Sequence, residues 1–309
     1  MLTWELLGAA TGAGLASGRE VAAFFGDSGA WGYAGLALAA LTVAWLAGAR
    51  LPEAWQGRWP ERLWRGLNAL LLTAVGGAML AGAGEMTASL LPSPWGRLTG
   101  MGATLLLSWL LARRTASGLA WVSRMLLAGM TALLLWALML PPMQATLPEA
   151  SLPAGLLRGV TYGGFNAALL QPLLVSRPQA LCRTSLRRAA VLLAMLLALG
   201  QATLLHHPAA MAYPMPFLYL ASSLGEAASC LAWSCLYLAI LSTLSACMKS
   251  LGGWGIPGVC GAAALGFTGV VDAAYPVLGG GCALMLAAMR AAAGRRGGNV
   301  EDVVNVGKP

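Results

Sequence analysis

Glu85 is an acidic residue inside a long apolar stretch, directly after the small-residue run AGAG (81–84). A carboxylate at membrane depth is costly unless it is paired or hydrated, so it commonly marks a path for ions or solutes. Small neighbours leave room for a cavity wall, and we predict that Gly82 and Glu85 contact a substrate. Glu85 would then bind a cationic group or carry a coupling proton. Alternatively, Glu85 lies near the outer headgroups, where water hydrates it.

Three further charged residues lie at the edges of apolar stretches. Arg19 and Glu20 directly follow a glycine-rich run, and Asp272 lies just before the last apolar stretch. Opposite charges at membrane depth usually pair with one another. We predict that Arg19, Glu20 and Asp272 form an outer gate; the alternative is a plain ion pair at the membrane edge.

Two glycine-rich segments, TGAGLAS (11–17) and TYGGFNA (161–167), are offset by 150 residues. Glycine permits a break in a helix and lets a ligand approach the backbone closely. Backbone freed by such a break is tolerated at membrane depth only where it lines a cavity or binds a ligand. We predict that both segments interrupt helices, although glycines can also serve as contacts between helices. The predicted substrate contacts are Ala13, Gly14, Leu15, Ala16, Ser17, Tyr162, Gly163, Gly164, Phe165 and Asn166.

The elements that carry these residues belong to a membrane protein. The chain has 309 residues, of which 58% are hydrophobic and only 10% are charged, and its mean hydropathy is +0.71. Soluble domains are nearer a quarter charged, and the apolar runs here are long enough to cross a bilayer. The first run has no basic segment before it, so we expect a retained helix and not a signal peptide. The six cysteines show no metal-ligand spacing.

Ten candidate spans follow from the apolar runs, and their basic residues predict the topology. With both termini cytoplasmic, 15 of the 19 Lys and Arg residues fall on the cytoplasmic side. The net charge of +8 therefore reports topology and contact with the lipid bilayer, not nucleic-acid binding. The predicted spans are 3–25, 29–49, 66–91, 98–112, 118–140, 155–176, 188–206, 227–250, 254–271 and 274–291.

Ten spans divide into two sets of five. Because five is odd, the second set begins on the opposite side of the membrane, and the halves have inverted topology. We predict an all-α polytopic membrane protein in which helices 1 and 6, the opening helices of the two repeats, are discontinuous. The repeats cover 1–141 and 150–292, and the polar tail 293–309 is predicted to be disordered.

The chain resembles a known family at several of these segments. The resemblance implies a LeuT-like five-plus-five inverted repeat, the fold of amino acid–cation symporters, located in the bacterial inner membrane. The family is that of the YkvI-type bacterial membrane proteins, and the resemblance rests on GAGLASGREVAAFF (12–25), AGAG (81–84), Tyr162 with Asn166, PFLYLA (216–221) and GFTGVVDAAYPVLG (266–279).

A sodium site is implied by the same resemblance. In LeuT-like symporters, sodium lies between carbonyls of the first helix and a carbonyl and two adjacent hydroxyls of helix eight, a pattern similar to YLAILSTLSA (237–246). Neutral oxygens suit a weakly held monovalent cation. Alternatively, the hydroxyls bond back to carbonyls one turn earlier. Leu15 stands where that fold places an amide, so a second sodium is not implied. The implied ligands are Gly8, Thr11, Ala239, Ser242 and Thr243.

These observations favour a secondary active transporter of a small organic solute, an amino acid or a related compound, with sodium as the coupling ion and no other cofactor. A proton-coupled carrier that uses Glu85 and a membrane ligand sensor that does not transport are the alternatives. The chain has no HExxH or G-x-S-x-G motif and no paired intramembrane aspartates, so an enzyme is not expected. The sequence makes no prediction of oligomeric state.

Overall fold

The computed structural model describes residues 2–93, 95–113, 119–142, 151–175, 179–253 and 255–305. Every regular element in these ranges is helical, which confirms the all-α prediction for the described residues. Several helical stretches are long and apolar enough to cross a membrane, as expected of a membrane-embedded protein. They are Arg19–Leu46, Trp59–Leu90, Arg183–His206, Glu226–Leu251 and Phe267–Ala293, with the shorter apolar helix Arg124–Ala137.

The first half of the chain contains α1 to α7, with two short 3₁₀ turns at Gly26–Trp31 and Glu53–Trp55. The α-helices are α1 (Leu2–Ala10), α2 (Ala13–Ser17), α3 (Arg19–Phe25), α4 (Gly32–Leu46), α5 (Trp59–Leu90), α6 (Gly96–Ala112) and α7 (Leu119–Ala137).

The second half contains α8 to α14, with a 3₁₀ turn at Pro208–Ala212. A π-helical turn at Val270–Ala274 joins the last two helices into one continuous stretch. The α-helices are α8 (Leu152–Val175), α9 (Gln179–His206), α10 (Pro216–Ser223), α11 (Glu226–Leu251), α12 (Gly255–Ala263), α13 (Phe267–Gly269) and α14 (Tyr275–Asn305).

The first predicted span is broken into three short helices. Gly12 has extended backbone (φ −60°, ψ 179°) between α1 and α2, and Gly18 has a positive φ of 81° between α2 and α3. Glycine adopts the second conformation at little cost because it has no Cβ. The predicted discontinuity of the first helix is therefore present in the structure.

The predicted discontinuity of helix 6 is wrong, because α8 runs without a break through Tyr162, Gly163 and Gly164. The two glycines instead allow close packing of neighbouring helices. A Cβ at Gly163 would lie 2.8 Å from the Ala39 carbonyl oxygen on α4, and one at Gly164 would lie 2.5 Å from the Gly279 carbonyl oxygen on α14. The second glycine pair is thus the helix contact that the sequence left open as an alternative.

The last predicted spans also differ from the structure. The ninth span was predicted at 254–271, but α12 ends at Ala263, and the chain reverses at Gly266, where φ is 78°. Phe267 already begins the final helical stretch. Within the tail predicted to be disordered (293–309), α14 continues to Asn305, and residues 306–309 lie outside the described ranges.

Helix contacts correspond between the two halves. Each helix of the first half can be paired with the helix five predicted spans later: α1 with α8, α4 with α9, α5 with α11, α6 with α12, and α7 with α14. A contact between two helices then has a counterpart between their partners in the other half. The contact α4–α8 corresponds to α9–α1, α5–α12 to α11–α6, α1–α7 to α8–α14, and α11–α7 to α5–α14. Every one of these contacts is present in the structure.

Candidate functional site

The break between α1 and α2 leaves backbone groups without their helical partners. The hydrogen-bond ladder stops where the Thr11 N–H donates to the Leu7 carbonyl at 2.8 Å. It resumes where the Ala16 N–H donates to the Gly12 carbonyl at 3.0 Å. No ladder bond joins the N–H groups of 12–15 to the carbonyls of 8–11. Because residues 11–17 are all buried, these backbone groups are available to a ligand in an enclosed site.

The second turn, around Gly18, satisfies its own backbone. The Ser17 hydroxyl donates to the Gly14 carbonyl at 2.9 Å and accepts from the Arg19 N–H at 3.2 Å. The Gly18 N–H donates to the Leu15 carbonyl at 3.0 Å. The unpaired backbone is therefore concentrated at the first turn, between Gly8 and Leu15.

Glu20 is a charged residue that lies against α2, next to this break. Its side chain is only 4% exposed, and the Tyr162 hydroxyl on α8 donates to its Oε2 at 3.1 Å. A Cβ at Gly14 would overlap the Glu20 carboxyl group, so the carboxylate lies directly against α2. Glu20 therefore lies against the predicted substrate segment, and no described ion pair joins it to Arg19 or Asp272, the other two residues of the predicted gate.

Aromatic rings surround the Glu20–Tyr162 pair. Phe24 and Phe25 meet the Tyr162 ring edge-on, with centroids at 5.0 Å and 5.5 Å. The Phe165 ring stacks on Tyr275 with centroids 4.5 Å apart. These five residues and Glu20 are almost fully buried, and the Tyr162 hydroxyl is the hydrogen-bond donor described for the carboxylate.

Two polar atoms near these rings are buried without a partner in the described part of the chain: the Tyr275 hydroxyl and the Asn166 Oδ1. The Asn166 Nδ2 donates to the Tyr162 carbonyl at 3.1 Å, which fixes the amide on α8. Unpaired buried polar atoms are rare in folded proteins, and a missing ligand or water is a common reason for them. The sequence identified Asn166 as a substrate contact but assigned no role to Tyr275.

Arg19 turns away from Glu20 and pairs with Asp272. The Arg19 Nε donates to the Asp272 Oδ1 at 2.9 Å, and its Nη1 donates to the Met211 carbonyl at 3.2 Å. Both side chains are partly exposed. The pair joins α3 to the π-helical turn before α14.

Gly82 and Glu85 lie at a different junction. Glu85 is partly buried on α5 and accepts a hydrogen bond from the Phe267 N–H at 3.4 Å, while a Cβ at Gly82 would lie 3.3 Å from the Phe267 ring. None of the contacts described for Glu85 reaches Glu20 or Tyr162. The carboxylates of Glu20 and Glu85 therefore lie in separate places. Glu20 lies at the break in the first helix, and Glu85 lies at the start of α13.

Thr243 on α11 lies beside the break. A Cβ at Gly12 would be 3.3 Å from the Thr243 Oγ1, and α11 packs against α2. The carbonyls of Gly8 and Thr11 are among those released by the break. Three of the five implied sodium ligands are therefore brought to the same turn.

The remaining hydroxyls bond back within their own helices. The Ser242 hydroxyl donates to the Ala239 carbonyl at 3.0 Å, and the Thr11 hydroxyl donates to the Leu7 carbonyl at 2.8 Å. This is the back-bonding alternative raised by the sequence, now found for Ser242. A donating hydroxyl keeps its lone pairs, so Ser242 remains able to coordinate a cation.

Three cavities lie elsewhere in the molecule. They have volumes of about 410, 580 and 490 Å³, and none has a lining residue between 11 and 17. None of these three cavities therefore lies at the break, whose residues 11–17 are buried. No family model matches this chain, and no curated protein matches it.

Proposed function

We propose that this protein is a secondary active carrier for a small organic solute with a cationic group, such as an amino acid or a related compound. The observation that carries the proposal is the Glu20 carboxylate, buried against the broken first helix and hydrogen-bonded to Tyr162. Within the described residues, no cationic side chain pairs with it. A buried carboxylate of this kind is stable only when it is protonated or bound to a cation.

The freed carbonyls complete the ligand chemistry. An ammonium group has three N–H donors, and one carboxylate with the released carbonyls of Ala9 and Ala10 offers matching acceptors. The unpaired Asn166 Oδ1 and Tyr275 hydroxyl add two further polar contacts to the region. The aromatic rings of Phe24 and Phe25 exclude water and strengthen the charge interaction.

The helix contacts support the inverted repeat. Two structurally similar halves are expected to show corresponding helix contacts. Such correspondence is found here when each helix is paired with the one five spans later. It agrees with the LeuT-like, YkvI-type resemblance of the sequence. The continuous α8 departs from that pattern, so the break in the first repeat alone would supply freed backbone. We place the carrier in the bacterial inner membrane with both termini cytoplasmic.

Alternating access then requires the buried site to open on each side in turn. The Arg19–Asp272 pair is partly exposed and lies one residue along the chain from buried Glu20, and we assign it as the outer gate. Separating α3 from the turn before α14 breaks this pair. Solute release on that side therefore depends on the ion pair, whereas solute binding depends on Glu20.

Two coupling ions fit the site. Sodium at Gly8, Thr11, Ala239, Ser242 and Thr243 would stabilise the closed arrangement of α1, α2 and α11. A proton on Glu20 is the second candidate, favoured by the burial of that carboxylate without a cationic partner. Glu85, the proton carrier suggested by the sequence, is less suited because none of its described contacts reaches the break.

A thermal-shift screen of the purified protein tests solute and ion together. Amino acids, amines and small acids would be compared in sodium and in potassium, each at two pH values. We expect an amino compound to raise the unfolding temperature, because ligand binding stabilises the folded state. Stabilisation only in sodium supports the sodium site, whereas equal stabilisation in both salts with a pH dependence supports the proton. Stabilisation only by compounds without a cationic group contradicts the role of Glu20.

Uptake into proteoliposomes separates a carrier from a sensor. A carrier accumulates the identified solute when a sodium or proton gradient is imposed, and the effective gradient identifies the coupling ion. A sensor binds the solute to the same extent with and without a gradient and accumulates none. Absence of accumulation under both gradients, with binding intact, would therefore exclude transport.

A further inference from the structure

Four arginines converge on a cavity of about 410 Å³ at one end of the molecule. The cavity lies at the end that the distribution of basic residues predicts to be cytoplasmic. Its arginines come from the segment after α4, from α9 and from α14, so the positive charges are close in space but distant in sequence. They are Arg50, Arg183, Arg187 and Arg290.

Arg183, Arg187 and Arg290 have no described anionic partner within the part of the chain that the structure describes. No Asp or Glu is among the residues that line the cavity, and no described ion pair joins Arg183, Arg187 or Arg290 to a carboxylate. The Arg290 Nε is shielded from solvent and has no hydrogen-bond partner there. Arg50 has an interaction of its own, so we base the inference on the other three arginines. Like charges held close together attract an anion, which offsets their mutual repulsion.

An apolar groove of about 580 Å³ adjoins the arginine cavity. The two share Trp45, which is 56% exposed, as at a membrane interface. The groove is formed by α4, α8 and α14, and its lining includes the exposed residues Leu41, Leu157 and Leu284. It therefore opens towards the surface that faces lipid in a membrane-embedded protein.

The groove and the cavity form one continuous track. On α4, residues from Leu38 to Trp45 line the groove, and Gly48, just after the end of α4, lines the cavity. Along α14 it proceeds from Gly280 in the groove to Arg290 in the cavity. Ten residues of helix span about 15 Å, which is comparable to the length of a lipid acyl chain.

We propose that this track is a binding site for an anionic phospholipid. The phosphate of the headgroup binds Arg183, Arg187 and Arg290, and one acyl chain lies in the groove between α4, α8 and α14. Arginine presents planar N–H donors that match phosphate oxygens, and basic pockets at the cytoplasmic ends of membrane helices are suited to such headgroups. Free phosphate shares the headgroup chemistry, but it does not account for the adjoining apolar groove. The site is independent of solute transport.

Lipid binding to the purified, delipidated full-length protein tests the proposal. Phosphatidylglycerol, phosphatidylcholine, glycerol 3-phosphate and inorganic phosphate would each be titrated, with bound lipid read by native mass spectrometry and stability by thermal shift. We expect phosphatidylglycerol to bind and stabilise the protein and the other three to do so much more weakly. Binding should also weaken as salt is raised, because exposed charges are screened.

Substitution identifies the residues responsible. Arg183 and Arg187 are exposed on α9, so R183Q/R187Q should fold normally. It should weaken phosphatidylglycerol binding by about fivefold or more for each arginine removed. Arg188 is the matched control: it is the next residue on the same helix, carries the same charge and does not line the cavity. We expect R188Q to bind the lipid within about twofold of wild type, because exposed charges away from the site contribute little.

Three outcomes would overturn the proposal. Equal affinity of R183Q/R187Q and wild type for phosphatidylglycerol would show that the cavity does not hold the headgroup. Equal binding of phosphatidylcholine would remove the role of charge. Equal stabilisation by inorganic phosphate would assign the cavity to a soluble anion and leave the groove without a function.

Discussion

Glu20 and Tyr162 lie 142 residues apart in sequence and meet in the buried interior of the molecule. The hydroxyl gives the carboxylate its described hydrogen-bond donor, and Gly14 gives it the space to lie against α2. At the residue scale, the candidate site thus depends on the hydroxyl donor of Tyr162 and on the absence of a side chain at Gly14. Each of these features can be removed with a single substitution and compared with a matched control.

Replacing Tyr162 with Phe removes the donor to Glu20. We expect Y162F to lower stability by about 1–3 kcal/mol, because a buried acceptor loses its partner. The equivalent change at Tyr275 should cost less, because that hydroxyl has no described partner. Chemical or thermal unfolding of both variants in the same detergent measures the difference, and a Y275F variant less stable than Y162F would contradict the assigned hydrogen bond.

Replacing Gly14 with Ala places a methyl group where the Glu20 carboxylate lies. Overpacking of a buried site costs about 1–3 kcal/mol, and here it also displaces the carboxylate. We expect G14A to lose solute binding and stability together. Gly102 on α6 has open space around it, so G102A is the control and should be neutral or slightly stabilising. Wild-type binding by G14A would show that the carboxylate does not need its observed position.

The residue scale also shows where the sequence was insufficient. Arg19 and Glu20 are adjacent, and adjacent opposite charges indicated one shared gate. The helical turn after Gly18 instead directs Arg19 to Asp272 and Glu20 to Tyr162. Side-chain direction after a positive-φ glycine depends on the tertiary fold, which a single sequence does not reveal. The segments 11–17 and 161–167 were predicted as site regions from their glycines and polar companions, and Glu20 contacts a residue of each.

At the element scale, the two glycine-rich segments have different roles. In the first, Gly12 and Gly18 adopt backbone conformations that end short helices. In the second, Gly163 and Gly164 are helical and allow α4 and α14 to approach α8. Sequence composition does not distinguish these roles, because both require a residue without a side chain. The distinction comes from whether neighbouring backbone lies within contact distance of the glycine.

A substitution on α8 tests this second role. A Cβ at Gly164 would lie 2.8 Å from the Ala283 backbone nitrogen, whereas one at Gly280 would meet only the Thr161 methyl at 3.5 Å. We expect G164A to lower the unfolding temperature by several degrees, since overpacked helices must separate. G280A should leave the unfolding temperature close to that of wild type. If G164A were as stable as G280A, close packing would not explain the glycine.

Helix α11 provides the corresponding test of the sodium site. Thr243 faces Gly12 at the break, whereas Ser245 donates its hydroxyl to the Leu241 carbonyl. We expect T243A to abolish the dependence of solute binding on sodium while expression is maintained, and S245A to keep that dependence. Binding assays in sodium and in potassium measure both variants. Sodium dependence that persists in T243A would remove the ion from this position.

At the scale of the whole molecule, the helical, apolar character of the chain was predictable from composition alone. Most predicted spans overlap a helix because apolar runs of this length have few other structures available in a membrane. The ninth span was wrong because the helix ends before Gly266 although the apolar run continues in sequence. Hydropathy alone does not indicate where the chain reverses. The arginine cavity was also missed, because its members were interpreted only as markers of topology.

The central claim, that the carboxylate at the broken first helix binds the cationic group of the solute, is tested most directly by E20Q. Glutamine keeps the size of the side chain but carries no charge. We expect E20Q to remain folded and to lose binding of the solute identified by thermal shift, by about a hundredfold or more, as expected when a buried charge pair is lost. E226Q, at the exposed start of α11, should bind as wild type does. Equal solute affinity of E20Q, E226Q and wild type would contradict the claim.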